Sequence, residues 1–273
     1  MKGNEIIKKA ILEKQPYSFG KIGGIESSHI LNYIRTKIPS LVRGNTLSVN
    51  AGICTPSIND LKIWLDSSLK SIEDLDYILE WCPEQGDKEI IDNVWKGKQK
   101  FNFFPDLEPF LHGEEGWQYS LHNKKVLVVS PFHDTIISQS KRLDKIWNGV
   151  IPKEVKVVKS PYPSELLGSN SKTPFWIHLD SMKRQIDMFD DFDVAIVGCG
   201  GYSLLLLEYI KSLGIPCIHL GGGTQLIFGI LGKRWDNNPS FVNSSWYGTK
   251  EWVRPFQHEV PVLSSLVENG CYW

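Results

Sequence analysis

The sequence predicts a single Rossmann-like α/β domain, with a mainly parallel sheet and helices on both faces. Short continuous apolar runs alternate with segments of helical period, and a glycine cluster follows three of the apparent strands. Continuous apolar runs are typical of strands that are buried on both faces. The chain has 273 residues, 41% of them hydrophobic, which is enough for one large core. Neither a repeat nor a low-complexity linker divides it.

The first half of the chain contains fewer regular elements than the second. Thr55-Pro56-Ser57 reads as a cap and first turn, and the apolar residues that follow it have helical spacing. The aromatic-rich stretch at 99–123 has no clear period and is predicted as a loop. The predicted elements are a helix at 4–14, a strand at 17–22, a helix at 26–38, a helix from about residue 58 and a polar helix at 87–98.

The second half alternates strands and helices more regularly. KVLVVS and DVAIV are short apolar runs, and the apolar positions between 175 and 189 form a helical stripe. The predicted elements are strands at 125–130, 155–158, 193–197 and 216–220, helices at 135–147, 175–189 and 204–213, and a loop at 160–174. We treat 1–273 as one domain, with 1–123 forming one side of a cleft, a core at 124–235 and a tail at 236–273 that wraps back.

Composition and charge exclude several classes of protein. With 30 Lys+Arg against 31 Asp+Glu, the net charge of -1 provides no field for gripping nucleic acid. The amphipathic stretch MKGNEIIKKAILEK lacks the apolar centre of a signal peptide, and no apolar run is long enough to cross a bilayer. The five cysteines are scattered, without zinc-binding spacing. We therefore expect a cytoplasmic protein with reduced thiols.

Three glycine clusters indicate where a ligand binds. They lie at 23–24, 198–201 and 221–223, each directly after a predicted strand. Ligands of open α/β sheets bind beyond the carboxyl ends of the strands, where glycine lets the backbone approach a phosphate. The clusters predict a phosphorylated or nucleotide ligand, although tight turns alone also explain each glycine. Ser203 replaces the third glycine of the dinucleotide fingerprint, and no acid follows Leu220, which disfavours NAD.

Several charged groups lie close to these turns. Glu26 either complements the dipole of its helix or holds a metal, a ribose or an acceptor hydroxyl. Lys233 and Arg234 suit a diphosphate and Trp235 can stack on a base or sugar, but cations at a helix end explain them equally well. His133 is a weak acid–base candidate beside an aspartate, and His219 lies inside a predicted strand.

The chain resembles glycosyltransferases of the GT-D type and related uncharacterised bacterial and phage proteins. The resemblance rests on FGKIGGIES, NAGICTPS, VLVVSPFHDTI, VGCGGY, IHLGGGTQLIFGILGKRW and VENGCYW, and it extends from about residue 17 to the last residue. It implies transfer of a sugar from a nucleotide-diphosphate-sugar donor, such as a UDP-sugar, to a saccharide or other hydroxyl acceptor. Surface-polysaccharide or glycoconjugate synthesis is the implied setting.

The resemblance also implies particular site residues. The family's RIGDGE-like motif aligns with KIGGIE, so that Glu26 matches the motif's Glu while Gly24 stands where the motif has Asp. A Mn²⁺ or Mg²⁺ ion would therefore have only one of the two motif carboxylates. We assign Glu26 to the donor or metal site and leave the catalytic base unassigned. The candidate donor-binding residues are Gly23, Gly24, Ser130, Gly198, Gly200, Gly201, Tyr202, Gly221, Gly222, Gly223, Gln225, Lys233, Arg234 and Trp235.

Two other functions remain open from the sequence. A nucleotide-linked oxidoreductase or isomerase would use the turn at Gly198. A non-catalytic carbohydrate-binding module would use exposed tryptophans, although large aromatics in loops also pack as satellite clusters over a core. The tryptophans expected in loops or in the tail are Trp117, Trp235, Trp246, Trp252 and Trp273.

Overall fold

A seven-stranded sheet forms the centre of the computed structural model, which describes residues 2–40, 44–161 and 172–273. All neighbouring strands are parallel, and their order is β3-β2-β1-β7-β6-β4-β5. The strands are β1 (Ser18–Lys21), β2 (Tyr77–Leu79), β3 (Gln99–Phe101), β4 (Lys125–Ser130), β5 (Glu154–Lys159), β6 (Val194–Val197) and β7 (Cys217–His219). The predicted α/β class with a parallel sheet is confirmed.

Helices connect these strands. They are α1 (Gly3–Glu13), α2 (Gly24–Thr36), α3 (Gly44–Ala51), α4 (Ile58–Glu73), α5 (Asp87–Val94), α6 (His133–Ser140), α7 (Leu143–Ile146), α8 (Phe175–Asp187), α9 (Ser203–Ser212), α10 (Gly223–Ile227), α11 (Lys233–Asp236) and α12 (Pro239–Val242). The start of α4 agrees with the predicted cap: Ser57 Oγ accepts the Asp60 N–H and Asp60 Oδ2 accepts the Ser57 N–H.

The sheet separates two hydrophobic cores, because successive side chains of a strand point to opposite faces. In β4, Val126 and Val128 belong to the core that includes α1, α6 and α7. Leu127 and Val129 belong to the other core, with α2, α4, α8 and α9. Both faces of the sheet are therefore covered by helices, as the continuous apolar runs predict.

The structure differs from the predicted elements in several places, among them α3, which was not predicted. Residues 99–101 form the edge strand β3 instead of a loop, and β2 was not predicted. The predicted helix at 135–147 is divided into α6 and α7. The first 123 residues consequently supply three of the seven strands. Most of the predicted loop at 160–174 lies outside the described residues.

The tail after α11 is built of short helical turns and packs back against the residues from the end of α10 to α11. Val253 forms an isolated parallel bridge with Ile230. The backbone N–H of Arg234 donates to the carbonyl oxygen of Cys271 at 2.9 Å. Among the described helices, none is both long and apolar enough to cross a membrane.

Candidate functional site

A cavity of about 490 Å³ lies at the carboxyl edge of the sheet. Residues at or just beyond the ends of β1, β2, β4, β5, β6 and β7 line it, together with α3 and the tail. This is the edge where open parallel sheets bind their ligands. The volume is within the usual range for small-molecule sites.

Glycine backbone forms one wall of the cavity. A Cβ on Gly200, whose φ is 61°, would lie 2.5 Å from the carbonyl oxygen of Ala51. A Cβ on Gly198 would lie 2.6 Å from the carbonyl oxygen of Gly221. Both contacts are too close for a side chain, so these turns present bare backbone to whatever fills the cavity.

Four polar side-chain atoms along the cavity have no hydrogen-bond partner among the described residues. They are Asn50 Oδ1, Ser160 Oγ, Thr224 Oγ1 and Gln225 Oε1. The last three residues are at most 1% exposed. A buried polar atom without a partner costs about 1–3 kcal/mol, so a polar ligand or water at this wall is favoured.

Lys21 ends β1 and is buried at the floor of the cavity. Its Nζ lies 2.8 Å from Glu108 Oε1 and 3.3 Å from the centroid of the Trp81 ring. Burial lowers the pKa of Lys21, while the carboxylate of Glu108 opposes that shift. The ammonium group is thus held by a buried ion pair and an aromatic face.

His219 ends the neighbouring strand β7, and its ring is fixed by the backbone. Nδ1 lies 3.0 Å from the carbonyl oxygen of Lys21. A carbonyl oxygen only accepts, so Nδ1 carries the proton and Nε2 is left as an acceptor. Burial, together with the charge of Lys21, lowers the pKa of His219 to about 3. The imidazole is therefore neutral at physiological pH.

Glu26 lies in the first turn of α2, and its half-buried side chain faces the cavity. Burial raises the pKa of Glu26, its own backbone N–H opposes that shift, and the negative charge of Glu268 adds to it. A carboxyl group with a raised pKa takes up a proton more readily than an exposed one.

Arg234 forms the cationic rim of the cavity. Its guanidinium donates to Glu268 and lies 4.6 Å from the centroid of the Tyr272 ring. The Gln225 Nε2 group donates to the carbonyl oxygen of Tyr272 at 2.9 Å. The tail thereby contributes an aromatic ring and a carboxylate to the site.

The cavity brings together most, but not all, of the candidate residues. Those that line it are Gly23, Gly24, Glu26, Ser130, Gly198, Gly200, Gly221, Gly222, Gln225 and Arg234. Those outside its lining are Gly201, Tyr202, Gly223, Lys233 and Trp235. Tyr202 is 1% exposed and Trp235 is 5% exposed, so both rings belong to the core.

Sequence reasoning missed several lining residues, among them Lys21, Trp81, Glu268 and Tyr272. A lysine at the end of a buried strand was a usable signal for Lys21. Glu108, which holds Lys21, lies in the aperiodic stretch after β3, where no local pattern marks a partner 87 residues away.

The tryptophans that were expected in loops or in the tail do not form an exposed aromatic surface for a saccharide. Trp117 is fully buried, and Trp252 and Trp273 are 6% and 9% exposed. The ring of Trp246 lies 5.6 Å from that of Trp147 and 5.9 Å from that of Trp252. Trp117, Trp252 and Trp273 belong to the hydrophobic core that includes α1, α6 and α7, and Trp246 packs against that core. The observation that favoured a carbohydrate-binding module therefore no longer does so.

The residues around Glu26 fit a closed metal site poorly. Glu26 and Glu268 are the carboxylates along the described cavity wall, and Glu268 is paired with Arg234. At position 24, where the resembling family has a second carboxylate, a Cβ would overlap the side-chain amide of Gln85, so a side chain there would have to displace that amide. A Mg²⁺ or Mn²⁺ ion beside Glu26 would have to take its remaining ligands from a substrate or water.

Comparisons with known proteins show no family model and no curated protein that match the chain. Two solved structures are similar to it. One, a selenomethionine-substituted domain of unknown function 1792, has 14% identity and a TM-score of 0.39, covering 81% of this chain and 82% of that one.

The other structure is described as a domain of unknown function 1792 with a distinct glycosyltransferase fold. It has 13% identity and a TM-score of 0.42, covering 93% of this chain and 96% of that one. Its description agrees with the GT-D resemblance found in the sequence.

Proposed function

We propose that the chain is a glycosyltransferase that binds a nucleotide-diphosphate sugar in this cavity and transfers the sugar to a hydroxyl acceptor. The observation that carries the proposal is the combination of a glycine-backbone wall with unpartnered buried polar atoms and a cationic rim. Backbone and small polar groups suit a phosphorylated sugar, which needs close approach and many hydrogen bonds.

Arg234 is the group that we assign to the diphosphate. Its guanidinium can form paired hydrogen bonds to phosphate oxygens, and its present partner Glu268 shares the rim with it. As the glycosidic bond breaks, negative charge gathers on the diphosphate, and a cation already in position stabilises that transition state. The buried ammonium group of Lys21 adds positive potential to the cavity, although the carboxylate of Glu108 partly neutralises it.

Glu26 is the carboxyl group that we assign to the chemistry. Its raised pKa suits a group that accepts the proton of the acceptor hydroxyl as the new bond forms. His219, neutral and with Nε2 unprotonated, is available as a hydrogen-bond acceptor on the same wall. No step of this scheme requires a protein-held metal ion, because Arg234 is the cation that we assign to the diphosphate.

A hydrolysis panel of nucleotide sugars, run with and without Mn²⁺, tests the proposal. The wild-type chain should release nucleoside diphosphate from at least one donor, and Glu26→Gln should lower that rate strongly, by about 100-fold. The melting temperature should hardly change, since the substitution keeps the shape of the side chain. Glu114→Gln, an exposed carboxylate outside the cavity lining, is the matched control.

A thermal-shift panel separates this function from the oxidoreductase alternative. Nucleoside diphosphates and nucleotide sugars should raise the melting temperature, and Arg234→Ala should abolish that rise. Stabilisation by NADH alone would overturn the glycosyltransferase proposal. Full activity of Glu26→Gln would remove Glu26 from the chemistry while leaving the donor site in place.

A further inference from the structure

A second cluster of metal-ligating side chains lies where α6 begins, outside the lining of the cavity. Asp134 Oδ1 is 2.8 Å from His133 Nδ1, and Asp134 Oδ2 is 2.8 Å from His258 Nε2. Asp134 and His258 are separated by 124 residues in the chain. Two imidazoles from distant segments thus meet on one carboxylate.

Glu259 is the third and the buried member of the cluster. It is 1% exposed, and it accepts the backbone N–H of Asp134 at 2.7 Å and that of Thr135 at 3.2 Å. These bonds fix the carboxylate at the first turn of α6. A carboxylate has about four lone-pair sites, so Oε1, which accepts the backbone N–H of Asp134, keeps the capacity for another ligand.

The spacing of these groups suits one ion. Ligand atoms of Asp134, His258 and Glu259 all lie within 4.8 Å of one another, and no other group of three or more His, Cys, Asp or Glu side chains in the described residues does so. Atoms bound about 2 Å from a zinc ion lie within about 4 Å of each other, so the ligand atoms would move together by less than about 1 Å on binding one ion.

We propose that Asp134, His258 and Glu259 bind a divalent transition-metal ion of the zinc class. One imidazole nitrogen and two carboxylate oxygens are a donor set that zinc favours, and the exposed side of the cluster leaves the fourth position to water. His133 holds the other oxygen of Asp134 and so orients that ligand. His258 exchanges its bond to Asp134 for a bond to the ion.

A bound ion would connect the tail, which carries His258 and Glu259, to the first turn of α6, which carries Asp134. The carbonyl oxygen of Glu259 accepts the Trp273 Nε1–H at 3.1 Å, and Trp273 meets Phe132 edge-on. Both of these aromatic residues line the cavity. The site therefore lies directly behind one cavity wall, and its proposed role is to hold that wall in place. This role does not depend on glycosyl transfer.

Titration of chelator-treated protein with zinc, followed by calorimetry and by melting temperature, tests the site. The wild-type chain should bind one equivalent and melt at a higher temperature when loaded. His258→Ala and Asp134→Asn should each weaken binding by more than about tenfold, because each removes or neutralises a ligand. His122→Ala, another exposed histidine that lies outside the cluster, should bind like the wild type.

Cobalt substitution then identifies the ligands in the folded protein. A visible spectrum without thiolate charge-transfer bands supports nitrogen and oxygen ligands, whereas thiolate bands would assign the ion to cysteines and overturn the proposal. The absence of zinc binding by the wild type, or equal binding by His258→Ala, would also overturn it. Circular dichroism of each variant establishes that its fold is intact, and the exposed position of His258 makes that substitution mild.

Discussion

Glu108→Gln should destabilise the protein, because it leaves the buried ammonium group of Lys21 without its carboxylate partner. The side chains of Lys21 and Glu108 are only 7% and 5% exposed, and their charged atoms are 2.8 Å apart. Removing one partner of a buried ion pair costs about 3–5 kcal/mol in the free energy of unfolding. For a chain of this size, roughly 2 °C is lost per kcal/mol, so the melting temperature should fall by about 6–10 °C.

The pH dependence of this loss has a definite sign. The folded state already lowers the pKa of Lys21, so between that value and the unfolded pKa the unfolded chain binds more protons, and stability rises with pH. Without Glu108, the pKa of Lys21 in the folded state falls further, so the rise in stability with pH begins at a lower pH. The deficit of Glu108→Gln should therefore shrink as pH increases, because Lys21 then becomes neutral.

Urea unfolding of the single variant and of Lys21→Met/Glu108→Leu is the assay. The double variant should recover to within about 1 kcal/mol of the wild type, since replacing a buried pair with apolar side chains is often neutral or stabilising. The reasoning fails if Glu108→Gln unfolds at the wild-type urea concentration. It fails equally if the double variant is less stable than the single one.

Three further predictions follow from the cavity and its walls. Glu268→Gln should free Arg234 and tighten nucleoside diphosphate binding a few-fold, measured by calorimetry, because a half-exposed pair is worth at most about 1 kcal/mol. His219→Asn should flatten the loss of stability that acid unfolding shows between pH 6.5 and about 3, since the folded state keeps His219 neutral there and the unfolded state does not. Gly200→Ala should lower the free energy of unfolding by about 1–3 kcal/mol in urea, because the φ of 61° and the carbonyl oxygen of Ala51 both oppose a side chain at this position. Each of the three predictions is contradicted if its variant gives the wild-type value in the measurement named for it.

Periodicity predicted the buried part of the fold well and its edge poorly. The apolar runs of β4, β6 and β7 are continuous because helices cover both faces of those strands. In β3, Gln99 is exposed and Lys100 is half-buried, so the strand has no apolar run to mark it. Its existence depends on pairing with β2, which is a property of the whole sheet.

The candidate site was predictable only where its residues belong to strand-end turns. Gly198 follows β6 directly and Gly221 follows β7 after Leu220, so the fold alone brings both to the cavity. Lys233 is adjacent in sequence to the lining residue Arg234, and Tyr202 comes two residues after Gly200. Both lie outside the lining, because helical geometry turns neighbouring side chains in different directions. Glu268 and Tyr272 reach the cavity through the path of the tail, which has no period to read.

The sheet order has a consequence for how the protein holds together. Strands from the first 101 residues occupy one side of the sheet and strands from 125–219 the other. They meet at the β1–β7 seam through two residue pairs, Ser18 with Cys217 and Phe19 with Ile218. That seam joins segments about 200 residues apart, so its closure carries a large loop entropy and should come late in folding. The cavity straddles it, with Lys21 on one side and His219 on the other. Any occupant therefore adds its binding free energy to the cohesion of the two halves, and resistance to proteolysis should rise with its concentration.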